Sequence, residues 1–68
     1  MASQQLHDFL AGVEPEYAAW TESCRQAGFV RPKELAVATE DELTRQGIHI
    51  GAARIIIQQA IHLYGEMG

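Results

Sequence analysis

The side chains with chemistry to offer in this 68-residue chain are three histidines, one cysteine and nine acidic residues. A zinc centre needs several His, Cys or carboxylate ligands brought together, usually by pairs spaced to share one turn or one helix face. His7, His49 and His62 stand in separate stretches, none with a cysteine or second histidine at ligand spacing, so neither metal nor cofactor is expected. Cys24 follows Tyr17 and Trp20 at helical spacing, which makes it a small buried hydrophobe rather than a reactive thiolate. Ser3 and Ser23 lie in no nucleophile-elbow or triad context. With no nucleophile beside a base, and little room in so short a chain for a pocket of several hundred Å³, no enzymatic activity is expected.

Two clusters remain that could bind something. Glu40, Asp41 and Glu42 follow Thr39 in the capping-box order, so their carboxylates complement the positive end of a helix and could also form an acidic docking patch. The run Gly47, Ile48, His49, Ile50, Gly51, Ala52, Ala53, Arg54 sets small residues at a helix start. There the backbone N–H groups are unpaired and another chain or an anion can come close. A tight helix–helix corner with small residues chosen for packing accounts for the same pattern. Arg54 adds one guanidinium able to pair with a carboxylate, and Ile55, off the core stripe, adds an exposed apolar contact.

The elements that must position these groups are helical. Apolar residues recur at helical spacing, interrupted by Pro and Gly, and no stretch alternates as a half-buried strand would. Residues 4–11 place Leu6, Phe9 and Leu10 on one face, with Gly12 as the breaker. Pro15 fits the first turn of a second helix that runs to about residue 27 and ends at Gly28, and Pro32 opens a brief third helix through residue 36. The Thr39 helix is short and ends at Gly47, and residues 51–64 form the longest helix, with Ile56, Ala60 and Leu63 on its core line. The expected architecture is all-α, a compact five-helix bundle forming one domain over residues 1–68 with its core between 6 and 64. Leu35, Leu43, Ile48, Ile56, Ala60 and Leu63 should be buried together with Trp20.

Composition narrows the partners. Hydrophobic residues make up 47% and charged residues 21%, a balance of a packed domain rather than a disordered tail or a membrane span. The net charge of -4 repels phosphate backbones on average, so nucleic acid and membrane are not expected partners. A lone cysteine offers no intramolecular disulfide, which points to the cytoplasm or the nucleus, and the first seven residues lack the basic-then-apolar pattern of a signal peptide.

Leu35, then Thr39, Glu40, Asp41, Glu42, Leu43, then Gln46, Gly47, Ile48, then Gly51 and the Ile56, Ile57, Ala60, Ile61, Leu63 helix resemble the second half of sterile alpha motif domains. Phe9 and Leu10, and Trp20, Cys24, Gly28 and Phe29, are similar to the family's first half, so the resemblance spans roughly residues 6–64. It implies a five-helix bundle that acts through protein–protein contacts, either with itself or with another domain of the same kind, in a larger scaffold or signalling protein. Carried onto this chain, it implies an end-helix surface at Gly51, Ala52, Ala53 and Arg54 and a mid-loop surface including Glu34, Glu40, Asp41 and Glu42. Ala52 and Ala53 stand where the family usually carries a basic cluster. The Gly47–Gly51 turn is also similar to the hairpin of helix-hairpin-helix domains, which makes a nucleic-acid-binding domain the alternative, opposed by five Lys and Arg scattered among nine acids.

Overall fold

The computed structural model describes residues 2–65, so Met1 and residues 66–68 of the expected domain span lie outside the described residues. Four α-helices and two 3-10 segments make an all-helical bundle without strands among the described residues. They are α1 (Ala2–Val13), a 3-10 segment (Pro15–Trp20) leading straight into α2 (Thr21–Gln26), a second 3-10 segment (Pro32–Val37), α3 (Glu40–Thr44) and α4 (Ile50–Tyr64). With Pro15–Gln26 taken as one bent helix, the count is five.

Local chemistry explains most of the boundaries. Gly12 does not stop α1, which continues to Val13, because nothing at Gly12 demands a left-handed turn. The stop comes from Pro15, which has no N–H to extend the ladder, and the chain tightens into i→i+3 bonding as the Tyr17 N–H donates to the Glu14 carbonyl at 2.9 Å. Gly28 (φ 103°) and Gly47 (φ 92°) take the left-handed conformation that ends helices cheaply only at glycine. At each, two bonds close the helix in the Schellman pattern: Phe29 N–H to the Cys24 carbonyl (2.9 Å) with Gly28 N–H to that of Arg25 (3.0 Å), and Ile48 N–H to the Leu43 carbonyl (3.3 Å) with Gly47 N–H to that of Thr44 (3.0 Å). The Thr39 capping box forms as its sequence dictates: the Thr39 hydroxyl accepts from the Glu42 N–H at 3.2 Å, and the Glu42 carboxylate accepts from the Thr39 N–H at 2.9 Å.

The core is a single cluster centred on Leu6, Leu10, Cys24, Leu35, Leu43, Ile48 and Ile56, with Ala53 and Ala60 letting α4 come close. α4 packs most extensively against the Pro32 segment, and α1 against the Pro15 segment. Two expected core members are corrected. Trp20 is only half-buried, held between Tyr17 (ring centroids 5.3 Å apart) and His49 (5.8 Å). Leu63 is 57% exposed, because the buried line of α4 runs out at Ala60 and Leu63 borders an open groove beside α1 instead of entering the core.

Candidate functional site

The capping box turns α3 so that its first-turn acids face outward, and the Schellman turn at Gly47 brings the chain back across them into α4. As a result Arg54 Nε lies 3.2 Å from Glu40 Oε2, with both side chains well exposed (60% and 45%). The end-helix and acidic clusters, expected as two separate surfaces, therefore form one continuous face. A shallow cleft of about 630 Å³ runs beside the ion pair, bordered by Thr39 and Ile57. Asp41 pairs with Arg45 one turn along α3 at 2.9 Å.

The remaining expected contact residues divide by orientation. Gly51, Arg54 and Ile55 are exposed, with Ile55 at 43%. Ala52 and Ala53 are not surface residues: at 7% and 0% exposure they point into the core, where their small size admits α4 to the bundle. The packing explanation of these alanines holds, and the end-helix patch reduces to Gly51, Arg54 and Ile55, flanked by Ile50 at 52% exposure. His49 precedes α4 without capping it through its side chain. Glu34 lies apart from the α3 acids in the sense that matters: its Oε1 accepts from the Val30 N–H at 2.6 Å and the Arg31 N–H at 2.9 Å. These backbone donors, with the nearby Arg31 and Lys33 charges, hold its carboxyl below the usual glutamate range. Glu34 is a cap of the Pro32 segment before it is anything else.

Charge is distributed unevenly. Arg25, Arg45 and Arg54 each pair with a carboxylate, which leaves Arg31 and Lys33, of five basic residues, without an ion pair among the described residues. Both lie beside an open groove of about 1110 Å³ between α1, the start of the Pro32 segment and the outer face of α4. That groove is larger than the little room expected in so short a chain, though it is open to solvent rather than enclosed. Its sequence signal was present but was assigned to the core: Phe9 and Leu63 continue apolar stripes that the structure leaves half-buried and exposed. No His or Cys lines it, and among the described residues no group of three His, Cys, Asp or Glu is placed to hold a metal ion.

No family model, curated protein or solved structure matches the chain. What the exposed face does is therefore read from its own chemistry.

Proposed function

We propose that the chain is a protein-interaction module of the sterile alpha motif kind, associating with a second copy or a similar domain through the face that joins Glu40 and Asp41 to Gly51, Arg54 and Ile55. The observation that supports this reading is the Arg54–Glu40 pair: acid and base of the same face already match within one copy. An ion pair so exposed is worth about 0–1 kcal/mol, so exchanging it for an equivalent pair across an interface costs little. A face carrying both partners is self-complementary, and two copies related by a twofold axis would set Arg54 of each against Glu40 of the other. Such a contact closes at a dimer, with exposed Ile50 and Ile55 supplying apolar area at its edge. The buried, free Cys24 fits a reducing compartment, cytoplasm or nucleus, and among the described residues no helix is long and apolar enough to cross a membrane. Nucleic-acid binding gains no support from the Gly47–Gly51 turn, since the flanking guanidiniums of Arg45 and Arg54 are each already paired with a carboxylate.

Sedimentation velocity over a concentration series tests this, using a charge swap. Arg54→Glu alone and Glu40→Lys alone should each remain monomeric with thermal midpoints close to the parent, and the two mixed should restore the dimer. If Arg54→Glu still associates like the parent while folded, the face is not the interface. Growth beyond a dimer would replace the twofold contact by a head-to-tail one.

A further inference from the structure

The groove between α1 and α4 offers a second surface, which shares only Ile55 with the Arg54 face. One wall is α4, where Ile55, Gln59 and Leu63 follow one another at i, i+4 and i+8; the other is α1, with Phe9, Gly12 and Val13. Phe9 and Tyr64 meet edge-on at 6.2 Å and tie the two walls together. The only two basic side chains without an ion pair among the described residues, Arg31 and Lys33, stand on its third side, and Asp8 stands on the α1 side, hydrogen-bonded by Gln4 at 3.1 Å. In a chain of net charge -4, that side gathers two bases outside any ion pair among the described residues, offset in part by the nearby Glu34 carboxylate.

Gly12 carries further information. It sits in the helix with ordinary backbone geometry, and a Cβ built there meets nothing within 4 Å, so the fold itself has no need of glycine at this position. Glycine costs a helix stability relative to alanine. What it does provide is a notch in the groove wall, where another backbone can approach closely.

We propose that this groove receives an amphipathic helix from a partner protein, apolar on the face that enters and acidic along the flank beside Arg31 and Lys33, with its closest approach at Gly12. Helical walls present no sheet edge, so an extended strand would find no backbone partners, whereas a helix needs only an apolar trough. A second copy of this chain has no spare helix for the trough among the described residues: its two long helices form the walls, and α2 and α3 have only 6 and 5 residues. The opposite flank of the bound helix, facing Asp8, is neutral or basic, which fixes its orientation.

The test titrates the intact protein into a labelled synthetic amphipathic helix with leucines on one face and glutamates along one flank, and into its counterpart with lysines in place of the glutamates. The glutamate helix should bind more tightly by at least about tenfold, and Lys33→Glu combined with Arg31→Glu should invert the preference. Leu63→Asp, at an exposed position the fold does not depend on, should weaken binding at least about tenfold. Gly12→Ala should raise the thermal midpoint yet weaken binding, a combination that a purely structural glycine would not give. No binding of the glutamate helix, equal binding of the two helices, or binding unmoved by Leu63→Asp would each overturn the proposal. Arg54→Glu measured in parallel should keep peptide binding while losing the dimer, so the two surfaces stand or fall separately.

Discussion

Glu34 and Cys24 show how much a single side chain's surroundings decide. The Glu34 carboxylate is held by two backbone N–H groups, so its folded pKa lies below its unfolded value. A group depressed in this way contributes stability above the unfolded pKa, and the contribution is lost as pH falls through the folded pKa. The parent's thermal midpoint should therefore fall on acidification below about pH 4.5, and Glu34→Gln should lose less over the same interval, as a melting series on both proteins would show. Cys24 behaves oppositely: complete burial pushes its thiol up to about 11. It should resist alkylation in the native protein near neutral pH and react readily in urea, so the ratio of the two rates reports how often the core opens. Fast native labelling would mean that Cys24 is not in the core. At this scale the sequence was informative about Cys24, whose place on a helical stripe is a local fact. Glu34 was expected as a surface acid, although its backbone partners, the Val30 and Arg31 N–H groups, are equally local at four and three residues before it.

Among the elements, those defined by neighbours in sequence were legible and those defined by tertiary contact were not. The Thr39 capping box and the glycine stops at Gly28 and Gly47 use hydrogen bonds spanning no more than five residues, so residue type and order suffice to predict them. The 3-10 character of Pro15–Trp20 and Pro32–Val37 is not written in periodicity, since three- and four-residue bonding share the same apolar positions over so few turns. The helical phase of α4 matches the structure through Ala60 and departs from it at Leu63, where the pattern continues but the side chain borders the open groove rather than the core. Substitution separates the two sites: Ile56→Ala, fully buried, should cost about 2–5 kcal/mol, while Leu63→Ala should cost under about 1 kcal/mol. Denaturant melts of the two variants would show the difference, and similar losses at both would mean that the last turn of α4 is packed after all.

For the molecule as a whole, the all-helical bundle was legible, and the faces it presents were not. Residues 14 apart in sequence, Glu40 and Arg54, are brought to one place by the Gly47 turn, and that merges two surfaces expected to lie apart. The groove needs three elements before any of its walls has meaning, so no stretch of sequence announces it. The core has a similar dependence with a further outcome. Ala52, Ala53, Ile56 and Ala60, four of its twelve buried members, belong to α4, which also covers the Pro32 segment and reaches α1. While the chain is being synthesised from its N-terminus, Leu6 and Leu10 already meet the Pro15 segment and α2, whereas the Pro32 segment that carries Leu35 lacks its main cover until that last helix has emerged. Completion of the core therefore waits until translation has passed α4, even though the elements before it can already begin to pack.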